Sequence, residues 1–196
     1  LGDWDRPHLP GNIAFSSNSP DSLLVPDPDF YNSNGYLALR HELPRQRPWH
    51  ERQDTIVWRG ATTGRGSLPD DTLDLSASDL RPRVRLCAIL KSIPGTDVKI
   101  YLCAQTPEPT LAEQRLRTAG LFGGWVPRES WLDRKFALDI DGNANTWSNL
   151  STRMLLGCCV IKVASPLELK QWYYGRLEPW RHYVPVRSDM SDLADK

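Results

Sequence analysis

The stretch from Lys135 to Val163 constrains the fold more than any other part of the chain. Phe136-Ala137-Leu138-Asp139-Ile140 reads as a strand, and Asp141-Gly142-Asn143-Ala144-Asn145 reads as the loop that leaves it. Trp147, Leu150, Met154 and Leu155 then recur at i, i+3, i+7 and i+8, which puts all four on one helical face. Gly157 supplies a helix stop, and Cys158-Cys159-Val160-Ile161 is a short apolar run of the kind a doubly covered parallel strand shows. The segment is therefore a βαβ crossover. In open parallel sheets ligands sit beyond the carboxyl ends of the strands, which directs attention to the loop Asp141–Asn145.

The same alternation extends through the rest of the chain from Asp54 onward. Strands are expected at Thr55–Trp58, Val98–Cys103, Phe136–Ile140, Cys158–Val163 and His182–Val186, with helices at Pro82–Lys91, Leu111–Gly120, Thr146–Leu156 and Leu167–Gly175. The first fifty residues are rich in Pro, Asn, Ser and Asp, including Pro26-Asp27-Pro28-Asp29 and Asn34-Gly35, and read as a turn-rich connecting region. The chain shows neither internal repeats nor low-complexity tracts. A chain of 196 residues buries enough surface for its own core without a disulfide or metal staple.

Composition removes several partners. Lys+Arg and Asp+Glu both number 24, and a zero net charge gives no electrostatic case for duplex nucleic acid. The longest apolar run, Met154 to Ile161, is far short of the roughly 20 residues a membrane span needs. Arginines outnumber lysines 18 to 6, a bias that suits phosphate and carboxylate forks and that a GC-rich genome also produces. Cys87, Cys103, Cys158 and Cys159 form no CxxC spacing and read as buried thiols. His8, His41, His50 and His182 show no metal-ligand spacing, and neither G-x-S-x-G nor H-E-x-x-H occurs.

Two loops have the composition of anion sites. Arg59-Gly60-Ala61-Thr62-Thr63-Gly64-Arg65 follows a strand and combines small residues, two hydroxyls and two guanidiniums, without the Lys-Ser/Thr ending of a Walker loop. A glycine turn with solvated arginines fits that stretch equally well. In the second loop, Asp139 and Asp141 form a D-x-D pair, but a metal reading lacks further ligands, and the calcium-loop pattern lacks its Glu at position 12. There Thr146 is expected to cap the helix, whose amides face either a diphosphate or solvent. Asp3 taken alone is a solvated carboxylate near a terminus. Trp172-Tyr173-Tyr174 and Trp180 are expected in the core.

Taken together, four segments resemble glycosyltransferase family 90, the group of the capsule-associated proteins with their CAP-type domain, the Rumi-like protein O-glucosyltransferases and the lipopolysaccharide-modifying transferases. They are Val57-Trp58-Arg59-Gly60-Ala61-Thr62-Thr63-Gly64, Arg81-Pro82-Arg83-Val84-Arg85-Leu86, Lys135 to Asn143, and the tract from Ser165 through Trp172-Tyr173-Tyr174, Pro179-Trp180 and His182-Tyr183-Val184-Pro185-Val186 to Asp192-Leu193. The last is the most specific.

The resemblance implies an α/β chain of the GT-B type. Residues 1–48 would be the end of an acceptor-side domain with its connection, and residues 49–196 a Rossmann-like UDP-sugar-binding domain with a parallel sheet. Family members extend beyond both ends of this chain, so further acceptor-side structure and a closing C-terminal helix are expected outside it. The implied activity is inverting, metal-independent transfer of a hexose or pentose from a UDP-sugar, with no cofactor, to a hydroxyl of a glycolipid or lipopolysaccharide, a polysaccharide or a protein. A non-catalytic nucleotide-sugar-binding module, or an inactive fragment of such an enzyme, is the alternative.

By the same resemblance Asp3 falls on the catalytic base. Ala61, Thr62, Thr63 and Arg65 fall on the first donor loop, and Asn143, Ala144, Asn145, Thr146, Trp147 and Ser148 on the second. Some members carry an arginine where this chain has Ser148, for which Arg153 is a substitute on the same helix, and Rumi-like members carry Glu where this chain has Gln171. The resemblance allows peripheral membrane association and either a cytoplasmic or a secretory-lumen location.

Overall fold

The computed structural model describes residues 2–3, as backbone, and residues 12–196. A small parallel sheet comes first, with β1 (Gly2–Asp3), β2 (Ile13–Ser16) and β3 (Leu23–Leu24) in that order. Two short helices follow. In α1 (Pro28–Asn32) Pro28 opens the helix and the Asp27 carboxylate caps the Phe30 amide, and α2 (Leu37–Glu42) enters from Tyr36 in the left-handed region. The first fifty residues are thus more than a connection, because Tyr36 and Leu39 are buried in the core of the larger unit.

That unit is a five-stranded, wholly parallel sheet. Along the chain its elements are β4 (Ile56–Ala61), α3 (Pro82–Leu90), β5 (Thr96–Leu102), α4 (Pro109–Thr118), β6 (Phe136–Asp139), α5 (Asn149–Leu155), β7 (Cys159–Val163) and β8 (Val184–Val186). The order across the sheet is β5-β4-β6-β7-β8. Outside β5, Phe122 bridges Ile100 in the parallel sense, so α4 leads into a rudiment of a sixth strand. Counting it, the order by sequence is 3-2-1-4-5-6, the doubly wound Rossmann arrangement, with its reversal between β4 and β6.

Alternate residues explain the layering. Trp58, Leu138 and Ile161 face one core with Val84, Cys87 and Leu90 of α3 and Leu116 of α4. Val57, Ala137 and Val160, one residue earlier on each strand, face the other with Leu150 of α5, Leu156, Trp131 and α2. A sheet covered on both faces is why its strands read as continuous apolar runs. All five expected strands and three of the four helices form, with shifted ends.

The helix expected over Leu167–Gly175 does not form. Lys170 exchanges both backbone hydrogen bonds with Ser17, and Glu168 adopts φ 55°, so the backbone groups a helix would need are bonded to the small sheet. Only a 3-10 turn remains, at Tyr174–Arg176. The core placement of the aromatics is likewise corrected for Trp172 and Trp180, which are exposed, while Tyr173 and Tyr174 pack against the second core. The four cysteines are free, two buried and two half-buried. Among the described residues no helix is long and apolar enough to cross a membrane.

Candidate functional site

The ladder between β4 and β6 registers a single pair, Val57 with Ala137. Past that pair toward the carboxyl ends, a side chain takes over the bridging. Arg83, the second residue of α3, donates from Nη2 to Ile140 O (3.2 Å), from Nε to Asp141 O (3.1 Å) and from Nη1 to Thr63 Oγ1 (2.7 Å), with Ala61 O at 3.4 Å. One guanidinium thus ties the loop after β4 to the loop after β6. Asn143 Oδ1, accepting from Gly64 N at 3.1 Å, makes a second tie. Two glycines permit this approach: a Cβ on Gly142 would collide with Thr63 Oγ1, and Gly64 sits at φ +121°, open only to glycine without strain.

Between the loops lies a cleft of about 410 Å³, lined by Thr63, Arg83 and residues 142–149. Desolvation draws the Arg83 pKa below the ordinary guanidinium value, opposed by Asp139 and Asp141, and a guanidinium stays charged regardless. Its hydrogen-bond acceptors are three carbonyls and a hydroxyl, and among the described residues it forms no ion pair. The guanidinium at the cleft therefore has the Asp139 and Asp141 carboxylates nearby but no carboxylate in contact. Arg81, two residues earlier, fixes the loop from behind by donating to the carbonyls of Thr62, Ala104, Gln105 and Gly66.

The sequence-derived residues divide into those that face this cleft and those that build its frame. Thr63, Asn143, Ala144, Asn145, Thr146, Trp147 and Ser148 all line it. Ala61 ends β4 and does not line the cleft; its carbonyl lies 3.4 Å from Arg83 Nη1. Thr62 is fully buried and its hydroxyl is spent on Ala104, donating to O at 2.8 Å and accepting from N at 2.9 Å. Arg65 is exposed and borders a different hollow of about 360 Å³ beside Asp79 and Ser188. Asp3 has a described backbone only, in β1 opposite Ser16; its side chain lies outside the described residues.

Asn145 faces inward as well. Its Nδ2 donates to Asp141 Oδ2 (3.0 Å) and Leu169 O (3.2 Å), and its Oδ1 accepts from Ser16 Oγ (2.8 Å), which joins β2 to the cleft wall. Thr146 is not the helix cap. Its hydroxyl donates to Asp139 Oδ1 (2.5 Å), and the helix starts later, after Ser148, with no side-chain cap. Ser148 Oγ donates to Asp29 Oδ2 (2.5 Å) and accepts from Arg128 Nη2 (3.2 Å). Arg128 thus supplies the guanidinium beside Ser148. Arg153 is not that substitute: it stacks on Trp131 at 3.6 Å, where burial pulls its pKa to about 10. Gln171 donates to Thr146 O (2.7 Å) and Trp147 O (3.2 Å), holding the second loop in place.

The D-x-D carboxylates are both occupied inside the protein. Burial would raise the Asp139 pKa, but Lys162 at 2.8 Å with Asn149 and Thr146 holds it below the usual carboxylate value. Asp141 has its pKa raised, chiefly by burial, because Lys162 and the donors from Ser165 and Asn145 compensate it only in part. Among the described residues no group of three His, Cys, Asp or Glu could hold a metal ion.

Arg83 is the residue that sequence reading missed, although it sits in the recognised Arg81–Leu86 segment. The available signal was a cation in the first turn of α3, at the positive end of the helix dipole, where arginine needs a reason. The model of glycosyl transferase family 90 matches residues 36–196. Protein O-glucosyltransferase 3 of Homo sapiens is 26% identical over 205 residues, covering 89% of this chain and 39% of that protein. Uncharacterized protein 179R of Invertebrate iridescent virus 6 is 30% identical over 164 residues, 76% of this chain and 14% of that protein. Protein O-glucosyltransferase 2 of Danio rerio is 32% identical over 79 residues, 39% of this chain and 15% of that protein. The chain therefore spans well under half the length of these relatives.

Proposed function

The chain belongs to glycosyltransferase family 90, and from that premise we propose that the cleft between β4 and β6 binds the diphosphate of a UDP-sugar whose glycosyl group is transferred to a hydroxyl acceptor. The observation that carries the reading is Arg83, a guanidinium with no ion pair among the described residues, suspended between two loops at the reversal of strand order. An anion completes such a site, and the switch point of a doubly wound sheet is where nucleotides bind. The Thr63 hydroxyl accepts from Arg83 and keeps its own proton for a phosphate oxygen. Asn143 spends its carbonyl on Gly64 and keeps its NH2 group. Arg83 thereby takes the role that the sequence suggested for Arg65.

The chemistry follows from charge. As the bond from the anomeric carbon to UDP breaks, negative charge grows on the leaving diphosphate, and Arg83 with the Thr63 hydroxyl stabilises it without a metal. Asp3 serves as base, taking the acceptor's proton while the oxygen attacks from the opposite face, which inverts the anomeric centre. Its support is backbone placement: Asp3 pairs with Ser16, and Ser16 is bonded to Asn145 in the cleft wall. We assign the chain to the GT-B type, a reading supported by the hydrogen bond that joins Ser16 of the small sheet to Asn145 of the cleft wall. The similarity to protein O-glucosyltransferases favours glucose as the sugar and a protein as the acceptor.

Calorimetric titration of UDP into the chain, with and without EDTA, tests the reading. Micromolar binding indifferent to chelator is expected; a folded chain that ignores UDP rejects it, and chelator-sensitive binding rejects its metal independence. In a transfer assay, Asp3→Asn should abolish turnover and leave UDP affinity in place. Undiminished transfer removes Asp3 from the mechanism.

A further inference from the structure

Four successive residues fasten the small sheet to the rest of the molecule, and each takes a different partner. The Phe15 ring meets Trp147 edge-on at 5.5 Å, Ser16 bonds Asn145, Ser17 exchanges both backbone bonds with Lys170, and Asn18 Nδ2 donates to Leu167 O at 3.1 Å. Two of these partners, Asn145 and Trp147, belong to the loop that walls the Arg83 cleft. The Ser16–Asn145 bond differs from its neighbours in joining two polar side chains out of reach of water, with Ser16 wholly buried and Asn145 2% exposed.

That bond is reciprocal. Ser16 Oγ donates to Asn145 Oδ1 at 2.8 Å and accepts from the Asn145 backbone N at 3.3 Å. The Asn145 amide then reaches two further segments: Nδ2 donates to the Asp141 carboxylate just past β6, 3.2 and 3.0 Å from its two oxygens, and to Leu169 O at 3.2 Å. Every N–H of the residue is thereby spent, one of them on a charged acceptor. Asn145 has no donor to offer a nucleotide, although its loop borders the cleft. What it fixes is geometry. Apolar packing is non-directional, whereas a buried amide bonded to three segments leaves unpaired polar groups behind if it is displaced from any of them. The partner of Ser16 across the small sheet is Asp3, so the same bond sets where the β1 backbone stands against the cleft.

We propose that Asn145 is a positioning residue: its side chain makes no bond to the nucleotide and instead holds β2, and with it the strand of Asp3, in a fixed place against the cleft. The role rests on the assignment of the cleft to UDP and of Asp3 to the base, and the bond it invokes is testable apart from both. Attack on the anomeric carbon needs base, acceptor oxygen and leaving group aligned, and an offset of about 1 Å costs on the order of a hundredfold in rate.

Ser16→Ala breaks the bond at one hydroxyl and leaves the backbone ladder and the other Asn145 bonds in place. In hydrogen exchange on the full 196-residue chain, the variant should release the amides of residues 13–17 and Asn145 about tenfold faster and leave those of β6 and β7 unchanged. Unchanged exchange at residues 13–17 and Asn145 overturns the proposal, with or without a nucleotide. In the wild-type chain, added UDP should shift the amides of residues 13–17 together with those of Thr63, Gly142 and Asn143. A response at those three with silence at residues 13–17 overturns it; silence at all of them is failure of the nucleotide reading, and the exchange comparison then decides alone. In the transfer assay, Ser16→Ala should lower kcat about tenfold to a hundredfold and keep the KM for UDP-glucose within about twofold. A raised KM at unchanged kcat makes Asn145 a donor-binding residue and overturns the positioning role. An equal loss of kcat in Asn18→Ala, which removes only the far end of the same seam, overturns it too.

Discussion

Two cations stand at the carboxyl ends of the same sheet, and their surroundings divide structural work from ligand work. Lys162, on β7, is buried and closes on Asp139 at 2.8 Å. Arg83, at the head of α3, is half-buried and among the described residues donates only to neutral acceptors. A paired buried cation completes the interior, whereas an unpaired one at a cleft awaits an anion from outside. Charge type and depth alone would have ranked Lys162 first; the identity of the partner reverses the order.

The strongest test of that contrast removes each cation in turn. Lys162→Met should cost about 3–5 kcal/mol in denaturant unfolding, because Asp139 is left buried and unpaired. The double variant Lys162→Met/Asp139→Asn should recover much of the loss; if the single variant is as stable as wild type, Lys162 is not structural. Arg83→Ala should cost less, about 1–3 kcal/mol for the acceptors it leaves unpaired, yet weaken UDP about tenfold to a hundredfold by calorimetry, the worth of a hydrogen bond to a charged group. Gly142→Ala comes next, at about tenfold in UDP affinity, since its Cβ displaces Thr63 from Arg83.

The smallest effect is a pH signature of the two neighbouring carboxylates. Asp139 has a folded pKa below its unfolded value, so its contribution is present above about pH 4 and is lost as pH falls through the folded value. Asp141 is raised, so the folded state binds its proton more readily and stability declines as pH climbs from about 4 through the folded value. Unfolding free energy measured against pH should therefore lose its acid-side rise in Asp139→Asn and its subsequent decline in Asp141→Asn. Parallel pH profiles for the two variants would contradict the opposed environments.

Local signals made the two cleft loops legible. Small residues following an apolar run at Ala61–Gly64, and again at Gly142–Asn145, announce a strand ending in a tight loop whatever the rest of the chain does. Arg83 was illegible as a site residue because its partners at Ile140 and Asp141 are 57 and 58 positions away, so Arg65, adjacent in sequence, drew the assignment. The rudimentary strand at Phe122 is a single bridge, too short to show a period. Leu167–Gly175 looked helical because nothing near it reveals that Ser17 will occupy the Lys170 backbone. The core role of Tyr36 and Leu39 was hidden by the turn-forming residues around them.

The single-rung ladder between β4 and β6 has a kinetic side. On either side of it each half is built from chain neighbours, β4 with α3 and β5, and β6 with α5 and β7. Such halves close short loops and form early, while the Val57–Ala137 rung and the Gln53–Arg134 bridge below it need contacts between distant parts of the chain. The midline of the sheet should thus be the last join made as the chain folds. A nucleotide bound there, as proposed, would act as a splint, and added UDP should slow hydrogen exchange most at the amides on either side of the join.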